Sequence, residues 1–124
     1  MTATSADGSG EQAAIDARLS RERADTLTQI ATLSAAVGEI IAAATGVAVD
    51  DEHDPEGQTI AFERAQATAL LDQARARLAD IDAAFDRVRA GAYGICVRCG
   101  QPIAAARLEA RPAAALCIGC ASKR

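Results

Sequence analysis

The sequence has few aromatic residues, and this scarcity limits how it can fold. Aromatic side chains make up 2% of the 124 residues, tryptophan is absent, and alanine supplies most of the apolar half of the composition. Alanine buries little area per residue, so such a chain cannot fill a thick globular core. Alanine is also the best helix former. The composition therefore predicts long, thin helices, and the length predicts one domain with an appendage.

Several other features are missing from the sequence. It has no continuous run of about eighteen apolar residues, so we expect no membrane-spanning helix. The start, Met1 to Asp7, has neither the basic nor the apolar region of an export signal, and we expect a cytoplasmic protein. A single histidine and the lack of a phosphate-cradling glycine-rich loop leave no catalytic constellation, so we expect no enzyme.

Charge is divided unevenly along the chain. Residues 1–91 carry eight arginines against sixteen acidic residues, a formal charge of −8, whereas residues 92–124 carry five basic residues and one acidic residue, a formal charge of +4. A mostly negative chain is a poor match for a phosphate backbone along its length. We therefore expect no direct sequence-specific binding to DNA.

All four cysteines lie in two Cys-x-x-Cys pairs separated by seventeen residues. A structural zinc ion takes four ligands at tetrahedral corners, and this spacing is typical of such a site. Gly100 and Gly119 suit the sharp turns of the two pairs. An iron–sulfur cluster is the main alternative because it also takes four thiolates, whereas disulfide frameworks are typical of small secreted chains. We predict one structural zinc ion held by Cys96, Cys99, Cys117 and Cys120.

Two helical segments precede the cysteines. From Gln12 to Thr45 the sequence has no proline, and apolar residues recur with three-and-four spacing from Ile30 to Ala44. Upstream of residue 30 this stripe is weaker, so we expect looser pairing there. Asp54 and Pro55 are typical of a helix start, and Gly91 is typical of the position just beyond a helix end. The second helix has a cleaner stripe, formed by Leu71, Ala74, Leu78, Ile81, Phe85, Val88 and Ala92.

Two helices of about thirty-five residues joined by a short loop must fold back on each other to hide their stripes. The predicted fold is mainly α: a long antiparallel two-helix coiled-coil hairpin with a small C-terminal four-cysteine zinc finger. We assign residues 1–11 to a disordered tail, 12–91 to the hairpin with an acidic tip at 46–57, and 92–124 to the finger. The hairpin alone would also suit a structural rod that dimerises.

The residues around the cysteines resemble the DksA/TraR zinc-finger family. The likeness lies in Gly91 to Ile103, in Ala106 to Pro112 and in Leu116 to Cys120. It implies a transcription regulator that binds bacterial RNA polymerase, inserts its coiled coil into the secondary channel and places an acidic tip near the active centre. It also implies that initiation is modulated, often together with the alarmone ppGpp.

The resemblance assigns roles residue by residue. The four cysteines match the metal site of the family. The family's tip motif is Asp-x-x-Asp-x-Ala; here Asp51-x-x-Asp54-x-Glu56 has Glu in place of Ala, and a register starting at Asp54 lacks the second Asp. The predicted partner-binding residues at the tip are Asp50, Asp51, Glu52, Asp54 and Glu56. Independently of the resemblance, the basic residues around the finger, among them Arg107 and Arg111, either offset the zinc-thiolate charge or contact an acidic partner. Arg87 and Arg89, at the finger end of the second helix, would join that contact surface.

A second interpretation comes from the spacing of the two cysteine pairs, which is also similar to that of GATA-type fingers that bind the DNA major groove. The loop between the pairs holds only two arginines, Arg107 and Arg111, and no basic helix follows it. Specific DNA binding normally needs a basic helix or stripe. We therefore prefer polymerase binding, with a zinc-dependent DNA-binding protein and a dimerising rod as the alternatives.

Overall fold

The computed structural model describes the backbone of residues 2–45 and 55–123 and the side chains of residues 10–44 and 56–123. Four helices lie in these ranges: α1 (Thr2–Thr45), α2 (Pro55–Ala90), α3 (Ala105–Ala110) and α4 (Ile118–Ala121). The predicted mainly helical fold, with two long helices followed by a four-cysteine segment, is confirmed. Most of the predicted tip lies outside the described residues, including Asp50, Asp51, Glu52 and Asp54.

The boundaries of α2 follow from local chemistry. The helix begins at Pro55, where a missing backbone N–H costs nothing, because the first N–H groups of a helix have no partner in any case. It ends before Gly91, which has a φ of 74° and donates its N–H to the Val88 carbonyl at 3.1 Å. A positive φ is readily adopted by glycine and strains other residues. Both predicted ends of this helix are confirmed.

The start of α1 differs from the prediction. The sequence suggested a disordered tail over residues 1–11, but the backbone of residues 2–11 is part of α1. Adding residues to an existing helix forms one hydrogen bond for each residue fixed, which is much easier than nucleating a helix. This segment contains no proline to stop that extension. The end of α1 at Thr45 agrees with the prediction.

The chain divides into two compact units, of which the first contains Met1–Ala24 and Leu78–Arg124. Its helical core consists of Leu19, Ile81 and Ala84, each fully buried, with Ile15, Phe85, Val88, Tyr93 and Ala113 packed around them. On the surface, Arg23 Nε lies 2.8 Å from Asp82 Oδ1. Ile15 shares the core with Val88, whereas Arg23 meets Asp82, so the two helices run antiparallel in this unit.

The second unit spans Asp25–Arg77. Thr26, Leu71 and Ala74 are buried in it, and Arg77 donates a hydrogen bond to Gln29 Oε1 at 3.4 Å. Leu71 and Ala74 belong to the predicted stripe of α2. The predicted stripe of α1 from Ile30 to Ala44 is only half-buried along its length.

The expectation of looser pairing upstream of residue 30 is wrong. Leu19 is 0% exposed and Thr26 is 2% exposed, whereas Ile30 and Leu33 are half-buried. At Leu19 the cause is additional cover, because Tyr93 and Ala113 of the C-terminal segment pack against the same cluster. Helix periodicity contains no information about such a later segment, so the strength of the stripe alone was misleading.

One property of α1 bears on the expectation that no helix crosses a membrane. By length and composition alone, Gly10–Ala44 could do so, since it contains an 18-residue window with a mean hydropathy of 1.5. Alanine and isoleucine contribute most of this hydropathy without forming a continuous apolar run. None of that window is fully buried in the structure, and a single helix of this kind is weak evidence for a membrane segment, since buried core helices and signal sequences pass the same test.

Candidate metal centre

The first cysteine pair lies in a tight turn after α2. An isolated antiparallel bridge joins Ile95 to Pro102, and the Cys96 N–H donates to the Gln101 carbonyl at 2.8 Å. The Gly100 N–H closes the turn by donating to the Cys96 carbonyl at 2.9 Å. Gly100 has a φ of 77°, which confirms the predicted need for glycine at this position.

The second pair lies at the start of a short helix. Cys117 is the N-cap of α4, and its sulfur accepts the backbone N–H of Cys120 at 3.4 Å. Gly119 lies inside α4, so it does not provide a positive-φ turn as the sequence suggested. A helix start directs unpaired N–H groups towards the capping atom, which favours a negatively charged sulfur there.

The four cysteine sulfur atoms lie close enough together to bind a single metal ion. All four cysteines are free thiols, and their Sγ atoms lie within 4.8 Å of one another, with Cys99 and Cys117 3.8 Å apart. A tetrahedral zinc ion with Zn–S distances of about 2.3 Å needs S–S separations of about 3.8 Å. The donor set and its spacing therefore fit one closed zinc site, which would be held by Cys96, Cys99, Cys117 and Cys120.

The site is buried on one side only. Cys96 and Cys120 are 1% and 7% exposed and form a small core with Ile103, while Leu108 and Leu116 pack around it. Cys99 is exposed.

Backbone hydrogen bonds from Cys99 and Cys117 lower the pKa of Cys96 to about 6, whereas the side-chain hydrogen bond with Cys117 raises the pKa of Cys120 to about 12. Part of the sulfur cluster is thus prepared to lose protons when it binds a metal.

Side chains from the end of α2 and from the finger hold the segment that leads into Cys117. The Tyr93 hydroxyl donates to the Pro112 carbonyl at 2.7 Å. Arg87 donates to the carbonyls of Ala113 and Ala114, both at 3.4 Å. Arg107 Nε donates to the Leu116 carbonyl at 2.8 Å. We call residues 112–116 the knuckle-leading segment, because its position determines where Cys117 can lie.

The predicted base residues therefore fall into two groups. Arg87 and Arg107 are half-buried and bonded to backbone carbonyls of the knuckle-leading segment. Arg89 pairs with Asp86 at 2.7 Å on the surface, and Arg111 is exposed.

The sequence pattern predicted no role for Tyr93, although it is the only tyrosine in an aromatic-poor chain. That rarity was the one available indication of a specific contact.

Of the predicted tip residues, only Glu56 belongs to the part of the chain whose side chains are described. It is exposed in the first turn of α2. A carboxylate there interacts favourably with the positive end of the helix. The contribution of the tip to any partner stays a prediction.

Comparison with known proteins places the finger in a family. Residues 91–124 match the family described as the prokaryotic dksA/traR C4-type zinc finger. An RNA polymerase-binding transcription factor DksA of Caulobacter vibrioides is 43% identical over 56 residues, which are 45% of this chain and 39% of that protein. An uncharacterised protein of Aquifex aeolicus is 44% identical over 48 residues, or 39% of this chain and 33% of that protein. The matches thus span about two fifths or less of the length of these curated relatives.

A solved structure is also similar to this chain. The structure of transcription factor DksA2 from Pseudomonas aeruginosa has 26% sequence identity, covers 90% of this chain and 92% of that chain, and gives a TM-score of 0.48. Together with the sulfur geometry, the family match confirms the predicted zinc finger and its single zinc ion. It also confirms the resemblance to DksA/TraR proteins that the motif suggested.

Proposed function

Since residues 91–124 are a zinc finger of the DksA/TraR family, we propose that this protein is a transcription regulator that binds bacterial RNA polymerase. The hairpin enters the secondary channel and its acidic tip modulates initiation near the active centre. The protein acts by binding and performs no catalysis of its own. Its place of action is the cytoplasm, where the polymerase is.

One observation carries this proposal: the likeness to a named polymerase-binding factor extends beyond the finger. The finger match covers 34 residues, 91–124, and reaches the end of the chain. The match to the Caulobacter factor covers 56 residues. At least 22 of those residues therefore lie before residue 91, in the part of the chain that contains α2. A shared zinc site alone would not produce this extension.

The distribution of charge supports the same partner. The segment up to residue 91 has a formal charge of −8, and the finger segment has +4 before its thiolates ionise. Carboxylates at a hairpin tip are hard oxygen donors that suit a magnesium-containing centre. A DNA duplex would instead attract a basic surface. The exposed Arg89 and Arg111 are the base residues that remain available for a partner, since Arg87 and Arg107 are used within the chain.

The experiment separates polymerase binding from the activity of the tip. Purified protein and RNA polymerase are tested for a complex by gel filtration, and transcripts from a purified initiation assay are measured with and without ppGpp. A double variant, Asp51→Asn with Asp54→Asn, removes two charges at nearly constant shape, and Asn serves as an N-cap about as well as Asp. We expect this variant to bind polymerase and to lose its effect on transcription.

A matched control removes the same charge elsewhere. Asp72 and Asp80 are exposed on α2, so Asp72→Asn with Asp80→Asn should behave like the original protein. Absence of a polymerase complex, or tight specific binding to a DNA duplex by the protein alone, would refute the proposed partner. If the tip variant alters transcription as the original does, the partner stands and the role of the tip is wrong.

A further inference from the structure

Two apolar side chains are exposed on the finger beside its metal centre. Val97 is 63% exposed and Ile118 is 66% exposed, and each directly follows the first cysteine of its pair. The sulfur atoms of those two cysteines, Cys96 and Cys117, lie within 4.8 Å of each other. The Val97 N–H also donates to the Ala115 carbonyl at 2.9 Å. Val97 and Ile118 therefore lie close together on the finger.

Two positive charges lie next to these side chains. Arg98 follows Val97 in the sequence, and its guanidinium donates to the Cys120 carbonyl at 3.4 Å. The Lys123 N–H donates to the same carbonyl at 3.2 Å, so Arg98 and Lys123 meet at the end of α4. We call this set of four residues the finger patch: Val97, Arg98, Ile118 and Lys123.

The charge of the whole finger is also positive. Residues 92–124 contain one acidic residue, Glu109, and five basic residues, a formal charge of +4. Four thiolates and one zinc ion would together lower this charge to +2. A surface with exposed apolar side chains and positive charge is complementary to a partner that is acidic and partly apolar.

The chain has a surface of this complementary kind near the start of α2. Phe62 is 71% exposed, the highest value among the large apolar side chains that the structure describes. Glu56 and Glu63 are exposed on the same helix, within six residues of Phe62. Residues 46–64 contain six acidic residues and one basic residue, Arg64, a formal charge of −5. We call Phe62, Glu56 and Glu63 the Phe62 surface.

We infer that the chain pairs with a second copy of itself, and that the finger patch of one copy binds the Phe62 surface of the other. The ring of Phe62 covers Val97 and Ile118, and the carboxylates of the Phe62 surface meet Arg98 and Lys123. The second copy is the occupant because the chain itself supplies both the apolar and the charge complementarity. Nothing in this pairing depends on polymerase binding, so either proposal can fail without the other.

The test measures self-association of the zinc-loaded full chain by analytical ultracentrifugation, without polymerase. The contact is small, so we expect a Kd of about 10–100 µM. This Kd should rise about threefold or more when the salt concentration is raised from about 0.05 to 0.5 M, because salt screens exposed charges.

Two variants each remove one half of the contact. Phe62→Gln removes the aromatic ring, and the double variant Val97→Gln with Ile118→Gln removes the apolar part of the finger patch. Each should weaken self-association by about tenfold or more, since a few buried apolar side chains carry most of the binding at such contacts. Leu27→Gln, at a side chain of α1 that is 41% exposed, is the control and should leave self-association unchanged.

Mixing the two variants distinguishes this contact from other modes of pairing. The Phe62 variant keeps an intact finger patch, and the finger variant keeps an intact Phe62 surface. One fluorescently labelled variant titrated with the other should therefore associate, although neither variant does so alone. Contacts between two Phe62 surfaces or between two finger patches would not be restored in this mixture.

Three results would overturn the inference. The first is a chain that stays monomeric at millimolar concentration, which would leave the finger patch to a different acidic protein. The second is self-association that both variants retain in full, and the third is a mixture that does not associate. If the finger variant fails to hold zinc, Phe62→Gln and the salt dependence still decide the outcome, because Phe62 lies outside the finger.

Discussion

The two arginines in the last turn of α2 should differ sharply in their effect on the finger. Arg87 is half-buried and donates to the carbonyls of Ala113 and Ala114. Arg89 is 73% exposed and pairs with Asp86, three residues earlier on the same helix. Replacing each by Met removes the same charge from the same helix end and keeps the apolar part of the side chain. Any difference between the variants therefore reports the contacts with the knuckle-leading segment.

The expected magnitudes follow from the geometry. A hydrogen bond from a charged donor contributes about 1.5–3 kcal/mol when its geometry is good. Arg87 shares one nitrogen between two acceptors, and both distances, 3.4 Å, are long for a hydrogen bond. We therefore expect Arg87→Met to lower the free energy of unfolding by about 1 kcal/mol. An exposed pair three residues apart contributes less than about 0.5 kcal/mol, which sets the limit for Arg89→Met. At about 2.1 cal/mol/K per residue, 1 kcal/mol corresponds to a Tm decrease of about 4 °C.

The assay combines heat unfolding, followed by circular dichroism, with the rate of zinc transfer to a chromophoric chelator. Arg87→Met should lower the Tm and release zinc about fivefold faster, because the segment leading into Cys117 is less restrained. Arg89→Met should match the original protein in both measurements. Equal effects of the two variants would show that helix-end charge, and not the carbonyl contacts of Arg87, stabilises the finger.

Three further predictions test the core, the metal site and the pH dependence. Leu19→Ala should lower the free energy of unfolding, measured in urea, by about 3 kcal/mol, because Leu19 is fully buried. Leu27→Ala, at a side chain that is 41% exposed, should lower it by about 1 kcal/mol. Similar losses for the two variants would contradict the assigned core. The purified protein should hold one zinc ion by elemental analysis, and Cys99→Ser should lose it while most helicity remains; full retention of zinc would rule out a four-cysteine site. Burial raises the pKa of Tyr93 above its ordinary value of 10.0. The neutral Tyr93 hydroxyl therefore contributes its full stabilisation below pH 10, and this contribution is lost as the pH rises through the higher pKa of the folded protein. Absorbance at 295 nm should follow this single tyrosine, and equal titration midpoints in native and urea-unfolded protein would refute the shift.

The sequence was sufficient to predict the metal site because its information is local. Two cysteines three residues apart can reach one ion from a tight turn, and the positive φ of Gly100 is a requirement of that turn. The start of α2 at Pro55 is similarly local, as is its end before Gly91. Each of these features depends on a few neighbouring residues, so no knowledge of the folded chain was needed.

The features that the sequence did not predict depend on contacts between distant segments. Leu19 is buried because Tyr93 and Ala113 pack on its cluster, more than seventy positions later in the chain. The acceptors of Arg87 and Arg107 are backbone carbonyls. Every residue has a carbonyl group, so no sequence pattern identifies which one an arginine will meet. For this reason the four base arginines were indistinguishable until their contacts were known.

These contacts make the metal site and the base of the hairpin depend on each other. The knuckle-leading segment ends at Cys117, so a metal ion that fixes Cys117 also restrains the Pro112, Ala113 and Ala114 carbonyls. Those carbonyls accept hydrogen bonds from Tyr93 and Arg87, and Arg87 lies in the last turn of α2. Metal binding contributes folding free energy to small zinc modules. Here the hydrogen bonds of Tyr93 and Arg87 connect the segment before Cys117 to the end of α2. A zinc ion bound by the four cysteines would therefore stabilise the end of α2 as well as the finger itself.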